Sequence, residues 1–281
     1  MENQAYSLSQ LVGKERRIIT ITSGKGGVGK SNFVANVALA LRAEGKTVCI
    51  FDADLSLGNV DVLYGIRPRY NLVHFLRNER SFDDVIVQGP EGIAIVPAAS
   101  GVQEMSELSE NDHNRLAFHL AKLEDAYDFL LIDTGSGMSA NVMSFIYACD
   151  ETIIITTPDP TAMTDAYAMI KVITRNNPDT SLKLVVNMVN NKKDAVDVAE
   201  KLNLVSTKFL KYGVTYFGYV LYDERLKQSV REQTPVFLRH PQSMSSGCFR
   251  QIAKDLIKRK PQNEQTMNFF SKALAFLGVK K

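Results

Sequence analysis

Short runs of β-branched and other apolar residues alternate along this chain with longer stretches in which apolar positions recur every three or four residues. The runs are 18–22, 47–51, 92–96, 127–132, 152–156, 182–187 and 216–221. They are nearly continuous rather than alternating, which predicts strands buried on both faces. Between the first two, residues 31–43 place Val34, Val37, Ala38 and Leu41 on one side of a helix that Gly45 closes. Strand–helix alternation of this kind predicts an α/β fold with a single doubly wound, mainly parallel sheet flanked by helices. No repeat, low-complexity tract or linker interrupts residues 16–260, so one domain is expected there. Residues 1–15 form a short polar flank, and 261–281 a linker leading into a final apolar stretch.

Composition narrows the picture only in places. The 281 residues include 33 basic and 31 acidic side chains, so no global field draws the chain to nucleic acid or acidic lipid, and any such binding must be local. Cys49, Cys149 and Cys248 lie far apart with no C-x-x-C pair, which argues against disulfides, zinc and iron–sulfur clusters. The first residues carry no basic flank or apolar core of a leader, and no apolar run reaches the ~20 residues of a spanning helix. A cytoplasmic protein is expected.

The strongest chemical signal is Gly24-Lys25-Gly26-Gly27-Val28-Gly29-Lys30-Ser31, which fits G-x-x-x-x-G-K-[ST] after a strand and at the opening of a helix. Its glycines let backbone N–H groups turn towards phosphate oxygens, and the helix N-terminus adds partial positive charge. In that arrangement Lys30 contacts the β- and γ-phosphates and the Ser31 hydroxyl meets Mg²⁺. Asn32 follows at the start of the helix and joins the nucleotide-binding set. Asp52-Ala53-Asp54 ends the second predicted strand and Asp133 the fourth, where carboxylates adjoin the phosphate site of such sheets.

Lys25 is not needed to cradle phosphate within one subunit. With it, Lys25–Ser31 resembles the deviant Walker A signature K-G-G-x-G-K-[ST] of the MinD/ParA class of ATPases. The resemblance implies ATP hydrolysis with Mg²⁺, and a dimer in the ATP state in which Lys25 reaches the nucleotide of the other subunit. It also implies that Asp54 positions the attacking water, that Asp133 is the Walker B carboxylate with 134–137 as the second switch, and that Asn187 reads adenine. Lys25, Lys30 and Asp54 are then the catalytic set, and Ser31, Asp54 and Asp133 the metal set. Asp52 is expected to act behind these groups.

The resemblance covers roughly residues 16–260, and three stretches that ATP chemistry does not dictate, 52–65, 79–90 and 156–171, are similar to the flagellar-number-regulating branch (FlhG/FleN/YlxH-like). That branch implies control of flagellar number and placement, with a MinD-like division-site or ParA-like DNA-partitioning ATPase as the alternative. Its implied partners are a flagellar GTPase of the signal-recognition type, flagellar C-ring proteins and a flagellar master transcription activator. Gln4, Ala5 and Leu8 keep part of the branch's GTPase-activating segment, whereas Asn3 and Ser9 replace its two charged residues. Near-neutral charge argues against direct nucleic-acid binding.

At the C-terminus, Met267, Phe270, Leu274 and Leu277 share one helical stripe, with Lys272, Lys280 and Lys281 nearby. The pattern fits an amphipathic helix lying on a membrane surface, and equally a last helix docked on the protein body. With the family resemblance it predicts a cytoplasmic protein that associates peripherally with the cytoplasmic membrane when ATP is bound.

Overall fold

A computed structural model describes residues 16–54, 58, 60–97, 110–149, 151–258 and 269–278. Its strands are β1 (Arg17–Ser23), β2 (Val48–Ala53), β3 (Val87–Gln88), β4 (Ala94–Val96), β5 (Phe129–Ser136), β6 (Glu151–Thr156), β7 (Ser181–Val189) and β8 (Thr215–Leu221). They form one sheet in the order β3-β4-β2-β5-β1-β6-β7-β8. Only the β3–β4 pairing is antiparallel.

Helices α1 (Lys30–Ala43), α10 (Val236–Arg239) and α11 (Met244–Lys258) cover one side of the sheet, burying Phe33, Leu41, Phe249 and Leu256 against Ile19, Ile50 and Leu131. The other side carries α3 (Leu72–Leu76), α4 (Phe82–Val85), α5 (Glu110–Ala126), α6 (Ala140–Ala148) and α12 (Phe269–Gly278) over β2, β4 and β5. There α7 (Pro160–Asn176) and α8 (Lys192–Leu210) continue over β6 and β7. Two short helices near the sheet's carboxyl end, α2 (Val60–Leu63) and α9 (Glu224–Arg231), complete the described set. β1, β2 and β6 are buried at every position, as continuous apolar runs require of strands covered on both faces.

The expected strands are all present, and β3 is an addition. Its two residues are partly exposed, too short and too wet to leave a hydrophobic pattern. Within 134–137, expected as the second switch, β5 stays paired through Ser136 because Ser23 on β1 remains its partner, and Gly137 N–H donates to the Ser23 carbonyl at 2.9 Å.

At the amino ends of the central strands, Arg17 makes two bonds to Glu151, at 2.6 and 2.5 Å, and Lys183 adds a third at 2.6 Å. This buried ion cluster clamps β1, β6 and β7 together at the end opposite the glycine-rich loop.

The C-terminal helix is docked. Phe269, Phe270 and Ala273 of α12 are buried, with Phe270 5.1 Å from the Phe51 ring and Phe269 6.3 Å from that of Phe145. Glu124 on α5 accepts the Phe269 and Phe270 amides at 3.3 and 2.9 Å, capping donors that a helix start leaves unmatched. Phe270, expected on a lipid-facing stripe, is therefore turned into the protein in this state: three rings meeting side by side leave it no accessible surface. Met267 and the side chains of Leu274 and Leu277 lie outside the described residues, as do Gln4, Ala5 and Leu8.

Candidate functional site

β1 is central, flanked by β5 and β6, and the chain leaves it towards β2 on one side and enters β6 on the other. Ligands of doubly wound sheets bind outside the carboxyl ends of the strands at such a reversal. The loop Gly24–Gly29 sits there. Gly24 lies so close to the Asp165 backbone of α7 that a Cβ would overlap it, and Gly29 has φ +87° with the Asn187 amide against its Cα. Both positions demand glycine for physical reasons, one of space and one of backbone conformation.

Lys30 opens α1 and its ammonium donates to Asp133 Oδ1 at 2.6 Å, both side chains being almost fully buried. The neighbouring register pair Asp52↔Asp133 brings a second carboxylate alongside. Burial pushes Asp52 up to about 8, the Asp133 charge adds to the rise, and amides of Asp54 and Val60, then Lys30, oppose it. Burial raises Asp133 as well, with Lys30 and Ser31 favouring its ionised form. Asp133 Oδ2 is buried and makes no hydrogen bond. A buried carboxylate oxygen with no donor, beside the Ser31 hydroxyl and Asp54, is the kind of hard-oxygen corner that Mg²⁺ takes through few protein ligands. Asp54 stands close to Asp133, where its charge is felt, with Oδ1 near the Cα of Gly135. The five predicted residues Lys30, Ser31, Asp52, Asp54 and Asp133 thus converge on one point.

Lys25 points elsewhere. Its ammonium donates to Thr161 Oγ1 and lies 3.8 Å from Asp159 Oδ1, at the start of α7 in the same chain. Asp159 caps that helix by accepting from the Thr161 and Ala162 amides at 2.7 and 3.2 Å. The stretch 156–171, which ATP chemistry does not dictate in the sequence, therefore reaches the phosphate loop. The signal was present: Asp159-Pro160 is a helix start placed at the carboxyl end of β6, beside the phosphate loop.

On the far side of Gly29 opens a cleft of 500 Å³, lined by Phe33, Met188, Leu221, Leu226, Val230 and Phe249. Asn187 faces it from the end of β7. Its Nδ2 donates to the Val28 carbonyl of the phosphate loop at 2.8 Å and its Oδ1 accepts the Met188 amide at 2.9 Å. Each end of the amide retains one further bonding position, as reading a purine edge requires. Met188 holds φ at +59°, a conformation that β-strand residues rarely adopt and that recurs at binding sites. Asn32 lines the same cleft. Asp223 Oδ1 caps α9 and Oδ2 accepts from Ser245 on α11, so the loop after β8 is pinned at both ends.

Among the described residues no group of three or more His, Cys, Asp or Glu side chains, Asp52, Asp54 and Asp133 included, is arranged to ligate a metal ion without other donors, and no helix is long and apolar enough to cross a membrane.

Comparisons agree with this geometry. A family model described as an AAA domain matches residues 16–186, and one described as the NUBPL iron-transfer P-loop NTPase matches 119–257. The antiactivator FleN of Pseudomonas aeruginosa is 38% identical over 85% of each chain. The flagellum site-determining protein YlxH of Helicobacter pylori is 32% identical over 99% of this chain and 100% of its own. The Pyrococcus horikoshii septum site-determining protein MinD, solved with Mg-ADP, superposes with a TM-score of 0.68 over 86% of this chain and 96% of that one, at 23% identity, a likeness of fold. A phosphate loop with an early lysine, a paired Lys30 and Asp133, and relatives of this length and identity place the chain in the MinD/ParA class of P-loop ATPases, in the branch that holds FleN and YlxH.

Proposed function

We propose that this ATPase is a dimerising switch that sets flagellar number and placement, cycling between a cytoplasmic monomer and a membrane-associated dimer. The observation that carries the reading is Lys25: an exposed cation at the mouth of the phosphate loop, on a chain whose relatives at 32 and 38% identity are named for flagellar site determination and antiactivation. Residues 16–260 are the switch body, 1–15 the segment that meets a signal-recognition-type GTPase, and 261–281 the membrane-targeting element. C-ring proteins and a master transcription activator are the other proposed partners.

The loop amides, together with Lys30, hold the β- and γ-phosphates. Ser31, Asp54 and Asp133 would hold a Mg²⁺, which when bound would neutralise phosphate charge and supply a Lewis acid at the transferring group. Asp54 orients the attacking water. Asn187 reads the base, and the loop from Tyr222 closes beside it. Lys25 leaves Asp159 and Thr161 when a second subunit presents its γ-phosphate, so charge developing in the transition state is met from both subunits. A lone subunit then hydrolyses slowly, and dimerisation reports which nucleotide is bound.

Light scattering tests the switch. Wild-type protein with a non-hydrolysable ATP analogue is expected at twice the monomer mass and with ADP at the monomer mass, whereas Lys25→Ala stays monomeric with both. A wild-type monomer under saturating analogue would sink the proposal and leave an ATPase without a dimer cycle.

A further inference from the structure

We propose that Arg69 and Arg80, gathered about Tyr70, together with the exposed Arg67 two residues before Arg69 in the chain, form a docking surface for anionic phospholipid headgroups beside the C-terminal helix; the inference rests on the membrane reading of that helix. The guanidinium of Arg80 lies 4.4 Å from the centre of the Tyr70 ring and that of Arg69 5.4 Å, while the His74 ring closes the group at 5.4 Å. All three arginines are exposed. Asp84, the carboxylate that feels Arg80, is engaged by the Ser81 amide and hydroxyl at 3.1 and 2.8 Å. Among the described residues no carboxylate pairs with Arg67, Arg69 or Arg80. Holding two guanidiniums over one ring costs mutual repulsion that the aromatic face offsets only in part. The assembled charge therefore suits a ligand with several negative groups spread across a surface. None of these residues lines the cleft beside the phosphate loop, and Arg80 falls in the stretch 79–90 for which ATP chemistry gives no reason.

Location selects lipid over other polyanions. Helices α3 and α12 lie on the same side of the sheet, and α5 touches both. Arg115 on α5 donates to the carbonyls of Phe75 and Leu76 in α3, and Glu124 on α5 caps α12. At a rise of 1.5 Å per residue these two positions are roughly 13 Å apart along α5. Tyr70, which carries the arginine pair, packs against the same core cluster as Phe269 and Phe270, so the basic group lies on the side of the sheet from which the apolar helix would be released. A short amphipathic segment alone binds a bilayer weakly, and a basic cluster beside it supplies the second contribution that stable anchoring requires. The chain's net charge of +2 gives no general attraction to nucleic acid.

Vesicle flotation of the full chain with a non-hydrolysable ATP analogue tests this. The wild type is compared on phosphatidylcholine vesicles and on phosphatidylcholine vesicles containing phosphatidylglycerol. Binding is expected to be stronger on the second and to fall with salt. Arg69→Gln/Arg80→Gln should lose roughly five-fold affinity per arginine on anionic vesicles, about twenty-five-fold in all, while matching the wild type on neutral ones. Arg69→Lys/Arg80→Lys should restore most of the loss, and unchanged ATP turnover in both variants shows that they are folded. A double Gln variant that floats like the wild type on anionic vesicles overturns the arginine surface while leaving the membrane reading intact. A wild type that floats with neither vesicle overturns both. Retention of the wild type on duplex DNA, lost in the double variant and without lipid preference, overturns it in favour of nucleic acid.

Discussion

Two lysines on one loop are held by different carboxylates, and burial separates what each can do. Lys25 and Asp159 are each about half exposed, at 42% and 51%, whereas Lys30 and Asp133 are at 7% and 0%. An exposed pair contributes about 0–1 kcal/mol, so Lys25 can leave its own chain at little cost. Breaking a buried pair costs about 3–5 kcal/mol because the remaining charge is stranded. Lys30→Ala should therefore lower the stability of the nucleotide-free protein by about that amount in urea unfolding, Lys25→Ala by less than about 1 kcal/mol, and Lys30→Met/Asp133→Asn should recover much of the loss. Asp54→Ala should abolish phosphate release yet still give dimers with ATP by size-exclusion chromatography; a monomer would remove the water-positioning role. The loop, both lysines and all three aspartates were legible in the sequence, because the motif fixes them relative to neighbouring strands. The Thr161 and Asp159 partners of Lys25 were not, since they lie more than a hundred residues away and only the packing of α7 against Gly24 brings them near.

Helix α12 shows where pattern alone runs out. An apolar stripe records that a helix buries one face and is silent on whether lipid or protein covers it. In the structure Glu124 and the Phe51 and Phe145 rings cover it. Glu124→Ala removes a cap typically worth about 0.5–2 kcal/mol, and Phe270→Ala removes a ring whose loss from a core costs about 3–5 kcal/mol. Both are expected to speed amide exchange across 269–278 while leaving β1 and β5 amides protected; equal loss everywhere would mean that α12 opens only with global unfolding. The loop after β8 behaves differently. Burial pushes Asp223 up, but donors from Ser245 and Arg225 outweigh it and hold the carboxyl below its ordinary 3.8. A lowered folded pKa stabilises above the free value and is lost as pH falls through the folded one. Melting temperatures should thus decline below about pH 4 with a slope that Asp223→Asn reduces. The principal strands were readable from their apolar runs, whereas β3 and the short α2–α4 helices carry too few residues to set a period.

For the whole molecule, α12 covers one side of a sheet whose carboxyl edge carries the phosphate loop. Deleting 261–281 would bare Phe51 and Phe145 to water, and the truncated chain should hydrolyse ATP but aggregate sooner on heating, as followed by turbidity. Phe51 carries the contact with Phe270, and Asp54 lies only three residues further along the same chain. Whatever part of the cost of releasing that helix depends on bound nucleotide must appear, with equal size, as a change in nucleotide affinity on release, since linkage between two equilibria runs both ways. On the membrane reading proposed above, a bilayer that captured the helix would change how tightly triphosphate is held by the same factor as triphosphate changes that capture, and the Phe51–Phe270 contact beneath β2 joins the helix to the strand that leads into the site.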